Sequence, residues 1–199
     1  MIPNIEECLR LMDKYQMLEH IKAHSLVVAT VAHLIAGSLK DSGIAISIEK
    51  VTAGALMHDI GKTSSLESGH DHSETGRQIC FENSLDEIAD IVGEHVKLKE
   101  YHLNGDFSEK EIVFYSDKRV NHDRIVSLDD RLSYILERYG GNNEERCRAI
   151  RDNFETCKEV EKKLFSRLNF RADRLEDLAG DEDIGLRLNR QEEGLCPFV

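Results

Sequence analysis

The only two prolines in the chain are Pro3 and Pro197, so the whole interval between them lacks the residue that most reliably breaks a helix. Apolar residues recur at helical spacing through most of that interval. His24, Val28, Val31 and Ile35 share a stripe of a helix predicted over about 20–41. Ile5, Leu9 and Met12 form a shorter one behind an Asn4 cap. Ser47 is placed to cap a third, running through Val51, Ala55 and His58 to Gly61. Ser84-Leu-Asp-Glu87 and Ser108-Glu-Lys-Glu111 both read as capping boxes, the first ahead of Ile88, Ile91, Val92 and His95, the second ahead of Ile112, Val113 and Asp117. Ser127 precedes Leu128, Leu132, Ile135 and Tyr139, which stop at Gly140-Gly141. A long amphipathic helix is predicted over about 143–168, from Cys147 to Leu164. No alternation is long enough to predict a strand, so the fold class is all-α.

At 199 residues the chain has room for one domain and an appendage. We expect a helical domain over 1–170 and a charged C-terminal extension over 171–199 that is partly mobile. The net charge of −12 argues against a coat for duplex nucleic acid or anionic membrane. The N-terminal stretch has neither a basic start nor an apolar run of signal length, which makes the cytoplasm the expected location. The five cysteines are scattered and form no C-x-x-C pair, so they suggest reduced thiols rather than disulfides or a zinc–thiolate site.

All nine histidines precede residue 123, which confines any imidazole chemistry to the first two thirds of the chain. The densest feature is His58-Asp59-Ile60-Gly61-Lys62, where an apolar helix meets a glycine. An imidazole and a carboxylate side by side at a helix end can converge on an ion, and that pairing suits Mn, Fe, Ni or Zn better than calcium. The glycine is read as releasing the backbone there. His24 and His95 lie on apolar stripes, where a buried imidazole needs a partner. His72 and Asp117 add two more candidate ligands, so five separate predicted helices aim polar groups at one core.

In this order the residues resemble the HD-domain metal-dependent phosphohydrolases, whose pattern H…HD…D is matched by His24, His58-Asp59 and Asp117. His58-Asp-Ile-Gly-Lys62 matches the HDIG form, and the resemblance covers about residues 20–140. His72-x-x-x-Gly76 and His95 are similar to the two further histidines of the branch that holds two or more metals, which includes bacterial diadenosine-tetraphosphate hydrolases of HD type. The resemblance implies a helical bundle with a metal site between its central helices. It implies one ion on His24, His58, Asp59 and Asp117, and a second on His72 and His95 with Asp59 bridging. One or two divalent ions are expected, drawn from Fe, Mn, Ni, Mg and Zn. The activity it implies is hydrolysis of a phosphomonoester or phosphoanhydride, on a small phosphorylated substrate such as a nucleotide, by a metal-activated water. Asp59 and Lys62 are the catalytic candidates, and Lys62 and Arg119 the substrate-binding ones, Arg119 chosen among several basic residues for its place two beyond Asp117.

A non-catalytic module that binds metal and nucleotide for regulation is the alternative reading. A closed structural zinc is disfavoured, because six ligands exceed the four it needs. Among the other histidines, His122-Asp123 is expected to be a loop pair, His33 to face away from His24, His20 to be exposed, and His70 to yield to His72. The sequence leaves the oligomeric state open, a homodimer included.

Overall fold

The computed structural model describes residues 1–181. Its helices are α1 (Ile5–Lys14), α2 (Glu19–Asp41), α3 (Ile48–Met57), α4 (Lys62–Ser68), α5 (His72–Glu82), α6 (Asp86–Glu94), α7 (Glu109–Lys118), α8 (Leu128–Ile135), α9 (Glu144–Phe165) and α10 (Leu175–Asp181). A π-helical turn, Leu136–Gly140, extends α8, and a 3-10 turn, Ala172–Arg174, precedes α10. The all-α bundle expected from the sequence is present.

Local chemistry sets most of the helix starts. Asn4 accepts from Glu7 N and Ser108 from Glu111 N, each completing a capping box, while Ser47 and Ser127 accept from Lys50 N and Asp130 N. The expected box at Ser84–Glu87 is not formed. Ser84 takes a left-handed φ of 58° and α6 starts at Asp86, after a Leu85 that is itself buried. The sequence also gave no hint of a small antiparallel hairpin, β1 (Val120–Asn121) and β2 (Arg124–Ile125), whose two-residue turn is His122-Asp123. Strands of two residues cannot display an alternation.

At the centre α2 packs on α3, and α7 lies against both. α6 contacts α3 and α7, α5 covers α6, and α1 flanks α3. By length and composition α2 could cross a membrane. Here it is the core helix, with Val28, Val31, Ala32 and Ile35 fully buried. α9 closes the bundle from outside against α7 and α8. Its anchor is partly polar: Lys163 Nζ meets Glu111 Oε1 at 2.8 Å and also bonds the Asp106 carbonyl, with both charged side chains buried. Removing one member of such a pair strands the other charge out of water.

After residue 170 the chain forms the 3-10 turn and the short helix α10. α10 packs on α2, and Leu175 is completely buried. The expected mobility of the tail concerns residues 182–199, which lie outside the described ones. Leu175→Ala should therefore destabilise the domain by about 2–4 kcal/mol in urea denaturation, the usual cost of emptying a leucine site. An unchanged midpoint would mean that α10 is a detachable appendage.

Candidate metal centre

Five helices deliver the six residues, five of which lie at or next to a helix end. His58 and His95 are the C-cap residues of α3 and α6, His72 is the first residue of α5, and Asp117 lies in the last turn of α7. Asp59 follows the C-cap of α3, and His24 comes from within α2. Helix ends suit this task because their backbone groups lack partners within the helix. Nδ1 of His58 donates to the Ala55 carbonyl at 2.7 Å, and Nδ1 of His95 to the Val92 carbonyl at 2.6 Å, the same bond to the third residue back in each case. Nδ1 of His24 donates to the His122 carbonyl at 2.7 Å. A carbonyl can only accept, so each Nδ1 carries hydrogen, and a neutral ring then leaves Nε2 bare for a ligand.

These Nε2 atoms, with that of His72, surround two carboxylates. His24 Nε2 lies 3.0 Å from Asp117 Oδ1, and His58 Nε2 lies 3.7 Å from the same oxygen and 3.5 Å from Asp59 Oδ2. The other oxygen of Asp59, Oδ1, is 3.4 Å from His72 Nε2 and 3.6 Å from His95 Nε2, and those two nitrogens are 3.2 Å apart. Two sets of potential ligands result, His24/His58/Asp59 and Asp59/His72/His95, each with its donor atoms within 4.8 Å of one another. Asp59 belongs to both. Asp117 joins the first set through His24 and His58.

Charge and burial show what such a site accepts. Asp59 is 1% exposed and His58 not exposed at all. Burial alone would raise the Asp59 pKa, but His58, His95 and Lys62 outweigh it and hold the carboxyl well below the usual range. Asp117 behaves likewise, burial being overcome by Lys118, His24 and His58. Burial works against charge on His58 too, yet Asp59 and Asp117 raise its pKa, so the pocket draws positive charge to that nitrogen. His58 Nε2 is nonetheless a buried atom with no hydrogen-bond partner. An orphaned imidazole nitrogen beside two ionised carboxylates fits a divalent cation.

A family model for the HD domain matches residues 21–135, the stretch that carries all six residues. The chain belongs to the HD domain family. HD proteins are generally metal-dependent hydrolases, and His24, His58, Asp59, His72 and His95 form the cluster that could hold metal here. An uncharacterized protein of Methanocaldococcus jannaschii is 29% identical over 69% of this chain and 88% of its own length. A tRNA (cytidine(56)-2'-O)-methyltransferase of Picrophilus torridus is 27% identical over 71% of the chain, and its Thermoplasma volcanium counterpart 33% over 48%. The matches span only 42% and 26% of those two enzymes. No solved structure matches the chain.

Of the residues read from the sequence, Lys62 lies beside the cluster, its Nζ 2.7 Å from Asp59 Oδ2. Burial disfavours its charge, but Asp59 raises its pKa, so it stays an ammonium. Arg119 corrects the sequence reading. It is buried, and its guanidinium is spent on the Val126 and Ala172 carbonyls, the Tyr115 hydroxyl and Glu161, none of which belongs to the metal cluster. Its neighbour Lys118, not singled out in the sequence, is buried, bonds Asp117 Oδ2 at 3.1 Å and the His95 carbonyl, and lies 4.4 Å above the Phe114 ring. It ties the ligand of one set to the helix end that holds the other. His33 bonds Thr52, while His20, His70 and the His122-Asp123 pair are exposed, as expected.

Gly61 serves the motif differently from the expectation. Its φ of −80° is open to any residue. What it provides is closeness, since a Cβ there would come within 3.0 Å of the His72 carbonyl, Gly76 N and Thr75 Cβ. Gly76 is confined in the same way by Val92 Cγ1 at 2.8 Å. Gly61→Ala should push the start of α5 outward, lower the melting temperature and remove the ion held by His72 and His95 before the other, as read by metal stoichiometry.

Acid should weaken the metal-free protein through His72. Burial, then the nearby His95, lowers its pKa to about 4. The unfolded chain therefore binds the proton first, and stability present above about pH 6.5 declines as pH falls towards 4. Urea midpoints measured in chelator should show that decline, and His72→Gln should flatten it.

Proposed function

We propose that the protein hydrolyses a phosphate ester or phosphoanhydride of a small phosphorylated compound, most plainly a nucleotide, with water as the nucleophile. The observation that carries this reading is Asp59, whose two oxygens are divided between two sets of imidazole nitrogens. When bound there, divalent ions supply Lewis acidity and lower the pKa of a coordinated water. His24, His58, Asp59 and Asp117 are suited to hold one ion, and Asp59, His72 and His95 a second.

The rest of the chemistry is assigned to the chain's own groups. The carbonyl anchors keep His24, His58 and His95 in one tautomer and one orientation. Asp59 and Asp117 stay ionised throughout. Lys62, partly exposed at the rim, is free to exchange its bond to Asp59 for a non-bridging phosphate oxygen and so offset charge that develops on it. In the overall reaction water oxygen bonds to phosphorus, the bond from phosphorus to the leaving oxygen breaks, and a water proton ends on that oxygen. Cysteine chemistry is a poor competitor, since burial pushes the Cys8, Cys80 and Cys157 thiols up to about 12. Two relatives named as tRNA-modifying enzymes favour a substrate drawn from nucleotide chemistry. The acidic exterior favours a small substrate over a nucleic-acid duplex, and we place the protein in the cytoplasm.

Purified protein supplied with Mn should hydrolyse members of a panel of nucleotides. Asp59→Asn should lose turnover and bound metal together, whereas Lys62→Met should keep the metal and lose about a hundredfold in kcat, the usual cost of one electrostatic contact to the transition state. Tight binding of one nucleotide without turnover would instead identify a regulatory module.

A further inference from the structure

We propose that the β1–β2 hairpin is a positioning device for the metal centre: the backbone carbonyl of His122, aimed inward by a left-handed turn, fixes the orientation and tautomer of His24. The proposal rests on the metal reading above and deepens it by naming what sets the geometry of one ligand.

His24 poses a problem that His58 and His95 do not. Those two lie at helix C-termini and use the free carbonyl three residues back in their own helix. His24 lies within the 23-residue α2, where the carbonyls are engaged in the helix ladder. Its Nδ1 must find an acceptor elsewhere, and it finds one 98 residues away in the turn of the hairpin. That acceptor depends on backbone conformation, because His122 has a φ of 55° and a change to extended geometry would redirect its carbonyl. The side chain of His122 plays no part in this bond. Its ring packs edge-on against Tyr134 at 5.3 Å.

The hairpin is fastened by the residues around it. Arg119 Nε donates to the Val126 carbonyl at 2.6 Å, and Val126 N donates back to the Arg119 carbonyl at 2.7 Å. Arg131 bonds Asn121 Oδ1 at 2.8 Å from α8. Arg119 also holds the Ala172 carbonyl, so the segment leading into α10 is fastened to the same clamp. Arg119 is thereby a positioning residue that acts through the hairpin on His24.

The test compares His122→Gly, His122→Asn and His122→Val. Glycine and asparagine accept a left-handed φ, and a β-branched residue resists it. Mn affinity by calorimetry should stay within about twofold of the parent for the first two and weaken about tenfold or more for valine, the range seen when the partner of a metal ligand is lost. The imidazole 15N shifts of His24 should report the Nδ1–H tautomer in the parent. A valine variant that binds Mn like the parent overturns the proposal. So does a glycine variant as weak as valine, which would assign the effect to the ring instead of the carbonyl. Finding the Nε2–H tautomer of His24 in the parent overturns it whatever the variants do. A parent that takes up no Mn overturns the metal reading, and this proposal with it.

Discussion

The structure depends on placing the Asp59 carboxylate, 1% exposed, where neither of its oxygens reaches bulk water. A lone buried carboxylate is among the most costly groups a fold can contain. This one is compensated from every side: His58 and Lys62 on one oxygen, His72 and His95 on the other. Those partners come from the end of α3, the start of α4, the start of α5 and the end of α6. The requirement to bring four backbone segments to one carboxylate explains why the loop at Gly61 must touch the beginning of α5, with no room there for a methyl group.

A second economy lies in how the imidazoles are aimed. Two of them satisfy a free carbonyl at the C-terminus of their own helix, which removes an unpaired backbone group and orients the ring in a single bond. The apolar stripes of α2, α3, α6 and α7 then decide where those ends meet. Lys118 and Arg119 consolidate the far side, one bonding Asp117 and the His95 carbonyl, the other clamping the hairpin. Folding and ligand placement are therefore the same set of contacts.

Much of this was legible in the sequence, for identifiable reasons. Caps at Asn4, Ser47, Ser108 and Ser127 are local, needing only a polar side chain and a backbone N–H three residues on. His58-Asp59 and the stripe positions of His24 and His95 point to one core because helical period fixes the face of a residue. Ser84 misled because burying Leu85 placed Ser84 in a left-handed conformation instead of a cap. Arg119 misled because nearness to Asp117 in the chain says nothing about direction once the helix has ended. The role of the His122 carbonyl was beyond reach, since it belongs to the backbone and acts across 98 residues. The burial of Leu175 was hidden by the charged residues around it.

The central claim is that Asp59 is shared by two cation sites. Elemental analysis of freshly purified protein, joined to anomalous scattering from its crystals, tests this most directly by counting ions and assigning the atoms around each. The account predicts two ions, one against His24, His58, Asp59 and Asp117, the other against His72 and His95, with one oxygen of Asp59 on each. A single ion with His72 and His95 turned away from it, or two ions that do not share Asp59, would contradict it.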